Sequence, residues 1–556
     1  MSSDARDHLL GTFDYVIVGA GASGCVLANR LSKDPQARVL LLEAGSSKVP
    51  FWVHVPLGIY KTIGDRRVDW CFKTEPEPGL DNRRIPIPRG FGLGGSTLIN
   101  GMVYIRGQRQ DYDHWRDLGN EGWGWSDVLP YFKVNEDFEG GANAHHGTGG
   151  EWRVEDIGSR WKVLDHFAEG SRTQGIPVVV DVNVDGDGMG YFHINKRGGV
   201  RVSARTAFID SVRHRPNLVV MSDARASRLL LEGRRAVGVE VRQGDRLVQA
   251  RATREVIVAC GTIGSPPLLQ ASGIGDPELL ATHGIPVVQA LPGVGENLQD
   301  HIQTRMVARV QGVETINARA STWHGRVGIG LEYMLRRSGP LAASVTKLCG
   351  FARSSPERDR PNVQFHVNPM STERFGGPVH PWPGIAISIC NLQPTSRGHV
   401  RLRSPDMREA PAITGNFMTT AEDQRVAIEA IRLTRRILQS EPMRGCFVSE
   451  VEPGSSLQTD EELLAHVRAT AITVFHPVGT CRMGHDAMAV VDPRLRVHGI
   501  AGLRVADASA MPTIPSGNTS SPSVMLGEKA AEMILADNRP RTPATRDTSH
   551  CMKNKA

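Results

Sequence analysis

The sequence predicts an α/β fold, α+β overall, in which a parallel-sheet unit is completed by segments far apart in the chain and a second unit of strands and helices lies between them. Three observations predict it. Tyr15-Val16-Ile17-Val18 is a short, mostly β-branched apolar run, the pattern of a strand buried on both faces. After Gly19, the residues Val26, Leu27 and Leu31 recur at helical spacing and Arg38-Val39-Leu40-Leu41-Leu42 forms a second strand, so a β-α-β unit opens the chain. At 556 residues the chain is too long for one ordinary core, and two units are expected.

The remaining elements follow in order. Residues from about 50 to 95 are rich in Pro, Gly and Trp and show no sustained period, so they read as long ordered loops of the kind that carry function. Short strands are expected at Asn217 to Met221, Arg228 to Leu231, Ala236 to Val241 and Val256 to Ala259, with a turn at Glu232-Gly233. Between about 310 and 475 the strand-like stretches Asn362 to Val367 and Ile385 to Ile389 precede a helix around Glu422 to Leu438, which marks the second unit. Leu503 to Asp507 returns to the first sheet, Val524 to Leu535 is a terminal helix, and the polar tail is loose. The expected boundaries are 12–308 and 481–536 for the first unit, 309–480 for the second and 537–556 for the tail.

Composition excludes several classes of function. The 65 basic and 59 acidic residues leave +6 over the whole chain with no dense Lys/Arg block, so nucleic acid is not an expected partner. No apolar run reaches the ~18 residues of a spanning helix, and contact with a membrane is at most peripheral. Eight cysteines stand without CxxC spacing, which signals neither a zinc site nor a disulfide framework. Met1 to Gly11 lacks an apolar h-region, so no secretory signal is expected, and the protein is expected in the cytoplasm, at most resting on the inner face of the membrane. Oligomeric state is not legible.

Gly19-Ala20-Gly21-Ala22-Ser23-Gly24 is a GxGxxG directly after a strand and opening a helix. The first glycine makes the tight turn, the second lets a pyrophosphate approach the backbone, and the third permits close helix-strand packing. Glu43 ends the next strand, about 20 residues on, where a carboxylate accepts ribose hydroxyls. Strand, helix and acid in register point to a Rossmann-like dinucleotide site. NAD and FAD remain equally open at this point.

A second glycine-rich stretch runs Arg89-Gly90-Phe91-Gly92-Leu93-Gly94-Gly95-Ser96-Thr97-Leu98-Ile99-Asn100-Gly101-Met102-Val103-Tyr104-Ile105-Arg106-Gly107. Further motifs are Gly261 to Gly275, Gly295-Glu296-Asn297-Leu298-Gln299-Asp300-His301, His476-Pro477-Val478-Gly479-Thr480-Cys481-Arg482-Met483-Gly484 and Asp507-Ala508-Ser509-Ala510-Met511-Pro512. These five, in this order, resemble the signatures of the glucose–methanol–choline (GMC) oxidoreductase family, and the resemblance runs from about residue 12 to 536. It looks most like bacterial choline-dehydrogenase-like and aliphatic-alcohol dehydrogenases. The resemblance implies FAD rather than NAD, a Rossmann-like FAD-binding domain built from discontinuous segments, and a substrate domain with an antiparallel sheet and helices.

It also implies which residues hold FAD. From the first strand, turn and helix these are Gly19, Gly21, Ala22, Ser23, Gly24, Glu43 and Ala44. From the flavin loop they are Arg89, Leu93, Gly95, Ser96, Asn100, Gly101, Met102 and Val103, and from later segments Ala226, Gly261, Asp507, Ala508, Asn518, Thr519 and Ser520. Three departures stand out. Ile99 occupies the position of a histidine that binds flavin covalently in some members, so non-covalent FAD is expected. Phe91-Gly92 replaces a more usual lysine and β-branched residue, and Ser520-Ser521 stands where close relatives carry Asn-Ala.

Alcohol oxidation needs a group that accepts the hydroxyl proton while the α-hydride leaves, and a histidine suits that task near neutral pH. The resemblance places this role on His476 and a second active-site role, hydrogen bonding to the developing alkoxide, on Asn518. Cys260 and Cys481 read as small apolar filler, and His145-His146 as a solvated loop without a third metal ligand, so no metal is expected. Trp70, Trp323, Phe365 and Trp382 are the aromatics in reach of an ammonium cage, though core packing serves each as well. The expected reaction is oxidation of a neutral primary alcohol to the aldehyde, with a quinone-like acceptor or oxygen receiving the electrons. An oxygen-using oxidase, a choline dehydrogenase, a hydroxynitrile lyase on the same fold and a flavin carrier without turnover are the alternatives.

Overall fold

The computed structural model describes residues 9–184, 187–374 and 376–538. Nearly all of the expected tail, and residues 1–8 of the expected leaderless N-terminus, lie outside the described residues.

Five strands of the first sheet run parallel in the order Leu218–Met221, Val39–Leu42, Leu9–Val18, Arg246–Val258, Leu503–Val505. Val39, Leu40, Leu41 and Leu42 are each 0% exposed, which is why this strand reads as an unbroken apolar run rather than an alternating one. Arg246–Val258 is longer than its apolar end announces. Val256 to Val258 pair in parallel with Leu503 to Val505, whereas the first half of the strand turns antiparallel against Arg235–Gln243, itself paired with Arg225–Glu232. That first half alternates polar and apolar residues, so no continuous apolar signal marks it.

The second sheet is antiparallel, in the order Phe447–Glu452, Ile302–Val310, Gly384–Asn391, Val363–Asn368, Leu348–Ala352, Gly188–Tyr191. Helices Ala421–Leu438 and Lys162–Arg172 share its core through Val426, Ile431 and Leu433, and Leu164 and Phe167. The expected boundary at 308/309 falls inside the strand Ile302–Val310, and the strand Gly188–Tyr191 comes from far upstream of it. Pairing across such a separation leaves no local trace in the sequence.

Two packing events bring the chain ends to one place. Helix Ala22–Leu31 packs on Ser520–Asp537, and at Gly527 a Cβ would lie 2.8 Å from the Ser23 Cα, so only glycine allows this approach. Ser23 Oγ donates to the Ser523 carbonyl at 2.7 Å, which ties the first glycine turn to the terminal helix. The carboxyl ends of the parallel strands, the flavin-type loop and the open side of the second sheet then face one cavity, as expected for a ligand crevice in an open α/β sheet.

Candidate active site

The cavity measures about 1130 Å³. Of the residues expected to hold a cofactor, all but Gly24 and Leu93 line it. Gly24 instead sits against the strand, where a Cβ would be 1.9 Å from the Gly19 carbonyl oxygen, and Leu93 is 2% exposed within the first core. Both therefore act on the shape of the wall rather than forming it.

The glycine turn has the geometry of a phosphate cradle. Gly19 adopts φ +103, and a Cβ there would lie 2.4 Å from the Ala259 carbonyl oxygen. At Gly21 a Cβ would meet nothing within 4 Å, so the backbone opens onto the cavity at the start of helix Ala22–Leu31, where unpaired N–H groups favour an anion. The second glycine loop packs on the first: Gly95, at φ +54, would place a Cβ 2.6 Å from the Gly21 Cα. At the far end of the adjoining strand, Glu43 accepts hydrogen bonds from Ala20 N at 3.0 Å and Gly45 N at 2.8 Å. Burial pushes its carboxyl up to about 7 despite these donors.

Asp507, after the returning strand, accepts from Gly261 N at 2.9 Å, Ser265 Oγ at 2.6 Å and Ser509 N at 2.8 Å. It thereby caps the helix Gly261–Ala271 from outside and holds that helix to the returning strand. Asn100 is held by Arg201, whose Nη1 donates to the Asn100 carbonyl and Oδ1, each at 2.7 Å. Arg201 is buried with no carboxylate partner among the described residues, and burial lowers its guanidinium to about 9. The cradle, the enclosed volume and the carboxylate at the strand end fit a dinucleotide of FAD size. Ile99 also lines this wall, and its side chain offers no atom for a covalent link.

At the other end of the cavity His476 and Asn518 meet, with Asn518 Nδ2 2.9 Å from His476 Nε2. The turn before His476 is strained, since Phe475 holds φ +68, and Arg89 donates to the Phe475 carbonyl. The backbone N–H of His476 donates to Asp300 Oδ1 at 2.8 Å. On its far side His476 Nδ1 lies 3.2 Å from His301 Nδ1, and His301 Nε2 lies 3.3 Å from the Leu392 carbonyl oxygen.

This chain of contacts admits one set of tautomers. A carbonyl only accepts, so His301 carries its proton on Nε2. Burial drives His301 down to about 3, so its ring is neutral and Nδ1 is an acceptor. His476 must then donate from Nδ1, which leaves the lone pair on Nε2, facing Asn518 and the cavity. Burial, then the neighbouring His301, His366 and Arg89, holds His476 well below the usual histidine range, so its proton-accepting form prevails at neutral pH. Gln364 Nε2 donates to Asn518 Oδ1 at 3.5 Å, which turns the amide N–H groups toward His476.

His301, His366, Arg201 and Gln364 carry no motif that marks them individually. His301 ends the third of the five motifs, and that position was the one available signal. His366 lines the cavity from strand Val363–Asn368 and is lowered to about 4 by burial, with no partner for Nε2 among the described residues. Of the four aromatics in question, Trp70 lines the cavity and Phe365 is core. Trp382 stacks on His380 at 4.2 Å, and Trp323 is 71% exposed outside the cavity.

His146 departs from expectation. It is 1% exposed, not solvated, and its Nδ1 lies 2.8 Å from Glu136 Oε1 in a buried network with Arg106 and Asp181. The side-chain cluster overrides the Gly/Asn-rich loop signal around it. Cys481 is buried and Cys260 faces the cavity with its Sγ 3.2 Å from the Val18 carbonyl oxygen, and burial raises both thiols. Among the described residues no group of His, Cys, Asp or Glu has the arrangement of a metal site, and no helix is long and apolar enough to cross a membrane.

Comparison with known proteins bears on this geometry directly. Two models of the GMC oxidoreductase family match residues 13–303 and 394–527. The chain is 40% identical to the alcohol dehydrogenase [acceptor] of Pseudomonas putida over 534 residues, covering 94% of this chain and 96% of that protein. It is 42% identical to an oxygen-dependent choline dehydrogenase of Chromohalobacter salexigens over 531 residues, covering 94% of each. Among solved structures, pyridoxine 4-oxidase from Mesorbium loti superposes with TM-score 0.84 at 29% identity, covering 94% of this chain and 98% of that one. A formate oxidase variant from Aspergillus oryzae superposes with TM-score 0.88 at 27% identity, covering 95% and 99%. The chain therefore belongs to the GMC oxidoreductase family of FAD flavoproteins and is an alcohol- and choline-dehydrogenase-like enzyme.

Proposed function

We propose that this enzyme oxidises a neutral primary alcohol, aliphatic or aromatic, to the aldehyde, with His476 accepting the hydroxyl proton. One observation carries the reading: the lone pair of His476 Nε2 is held toward the cavity beside the Asn518 amide by the chain through His301 to the Leu392 carbonyl. His476 takes the proton at Nε2, and Asn518 Nδ2 donates to the oxygen as negative charge develops on it. Bound FAD supplies the acceptor for the hydride leaving the carbinol carbon. The turn Gly19 to Ser23 would hold its pyrophosphate, Glu43 its ribose, and Ser96, Asn100 to Val103 and Thr519 its ring, and Ile99 would offer no atom for a covalent bond.

Cofactor binding falls to 12–308 and 481–536 apart from the strands Gly188–Tyr191 and Ile302–Val310, which join 309–480 in the second sheet that contacts substrate. A neutral substrate is favoured because strand Ile302–Val310 presents Gln303 and Arg305 to the cavity, and Arg305 neutralises Glu452 at 2.9 Å. The electrons pass to a quinone-like acceptor or to oxygen: the name of the Pseudomonas putida relative specifies an acceptor, and that of the Chromohalobacter salexigens relative specifies oxygen. Seven free cysteines among the described residues accord with a reducing cytoplasm.

The test is anaerobic stopped-flow mixing with a panel of alcohols that includes choline, followed by reoxidation with a quinone and with oxygen. A primary alcohol should bleach the flavin faster than choline does. A flavin that stays oxidised while a cyanohydrin is cleaved would establish the lyase instead.

A further inference from the structure

Four arginines are buried among the described residues, and three of them face a carboxylate. Arg30 meets Glu528 at 2.7 Å, Arg106 meets Glu136 at 2.8 Å and Arg504 meets Glu255 at 2.5 Å. The fourth, Arg201, is 3% exposed and sits among carbonyl oxygens instead. Its Nε donates to the Val53 carbonyl at 2.8 Å, and its Nη1 to the carbonyls of Thr97 at 3.2 Å and Asn100 at 2.7 Å. Its Nη2 is buried with no partner among the described residues. Carbonyl dipoles hold a cation without cancelling its charge, and a lone buried charge is destabilising unless an opposite charge comes to meet it.

This charge lies one side chain from the cavity. Thr97 and Asn100 both line the cavity, and Asn100 Oδ1 accepts from Arg201 Nη1 at 2.7 Å and from Met102 N at 3.1 Å. On the same wall Asn100 Nδ2 lies 3.5 Å from Ser520 Oγ, at the start of helix Ser520–Asp537, whose first-turn N–H groups add partial positive charge. The nearby Arg205 is paired with Asp210 at 3.1 Å, so the uncancelled charge behind the wall of Thr97 and Asn100 is that of Arg201.

We propose that Arg201 raises the reduction potential of the flavin bound in this cavity. A hydride taken from the alcohol brings two electrons and one proton, and so leaves one more negative charge on the cofactor. A fixed cation in a low-dielectric wall stabilises that charge and does little for the oxidised ring, which is neutral. The carbonyl cage sets the guanidinium in place beforehand, so no reorganisation is needed when the charge develops. The inference rests on the placement of the flavin ring along Ser96 and Asn100 to Val103, and not on the identity of the alcohol or on His476 as base.

The experiment measures the two-electron potential of the purified holoenzyme against a reference dye, anaerobically and without any alcohol. The dissociation constant of the flavin–sulfite adduct, which carries the same negative charge, is read beside it. With one side chain between, the cation acts over about 10 Å or less, and at an effective dielectric of about 20 its loss shifts such an equilibrium about tenfold or more. Arg201→Gln keeps a donor for the Asn100 carbonyl but no charge. It should lower the potential by at least about 30 mV, the equivalent of tenfold for two electrons, and weaken sulfite binding at least about tenfold. Arg201→Lys keeps the charge but not the fork, and at pH 6 should move both readings less than half as far. A wild-type potential in flavin-bearing Arg201→Gln would overturn the proposal, as would an Arg201→Lys potential as low as that of Arg201→Gln. Loss of flavin from both variants would make Arg201 a brace for the loop and would overturn it too. Asn100→Ala tests the ring placement separately: an altered flavin absorption spectrum there, beside an unmoved Arg201→Gln potential, sinks the charge role and leaves the placement standing.

Discussion

Replacing His301 with leucine tests whether the hydrogen-bond chain, rather than His476 alone, sets the reactivity of the base. His301 Nδ1 is the acceptor for His476 Nδ1 at 3.2 Å, and both rings are buried. Leucine fills the space but leaves a buried N–H without a partner, a cost of about 1–3 kcal/mol. His476 escapes that cost by moving its proton to Nε2, the atom proposed to accept from the alcohol. At 1.36 kcal/mol per decade, the reactive tautomer is depleted by about 5- to 150-fold. Single-turnover flavin reduction under anaerobic conditions reads this loss directly, with KM for the alcohol little changed. His301→Gln restores an acceptor oxygen and should recover most of the rate, which a purely structural defect would not allow. Wild-type reduction by His301→Leu, with an unaltered pH profile, would refute the tautomer argument.

Other outcomes follow from the same geometry. His476→Ala should retain FAD and slow flavin reduction by roughly 10²- to 10⁴-fold, while Asn518→Ala slows it with less change in pH dependence; an unaltered rate in either removes that residue from the chemistry. Gly95→Ala, whose Cβ would lie 2.6 Å from the Gly21 Cα at φ +54, should yield protein with little or no flavin, read from the visible spectrum after purification. The Glu43 carboxyl, at about 7, is protonated below that pH and charged above it, and only the charged form accepts from both ribose hydroxyls. Reconstitution of apoprotein with FAD should therefore tighten as pH rises through 7, and Glu43→Gln should abolish the dependence; equal affinity on both sides of that pH in the wild type contradicts the assignment. Glu136→Gln leaves Arg106 buried and uncompensated, since both side chains are 0% exposed, and should cost about 3–5 kcal/mol in urea unfolding.

Local chemistry makes much of this protein legible in its amino-acid order. The turn Gly19 to Gly24 follows a β-branched run and precedes helical spacing, and Glu43 ends the next apolar run, so one short window carries turn, phosphate cradle and carboxylate together. His476 is different. Nothing in its own neighbourhood separates it from the other histidines, and the role proposed for it comes from the order of five motifs along the chain. His146 shows the converse: a loop composition that reads as solvated encloses a buried ion network, because Arg106, Glu136 and Asp181 converge on it from three segments.

Neighbours within a turn or a strand therefore dictate the parallel β-α-β start, the glycines that only a positive φ or a close approach explains, and the apolar runs that must be buried. The tautomer of His476, the orientation of Asn518, the burial of Arg201 and the membership of Gly188–Tyr191 in the second sheet arise only once the chain is folded. Hydrogen-bond direction and desolvation depend on which atoms lie within a few ångströms. In this fold those atoms come from residues 91 to 175 positions apart, as at His301 with Leu392 and His301 with His476, a separation that no local pattern encodes.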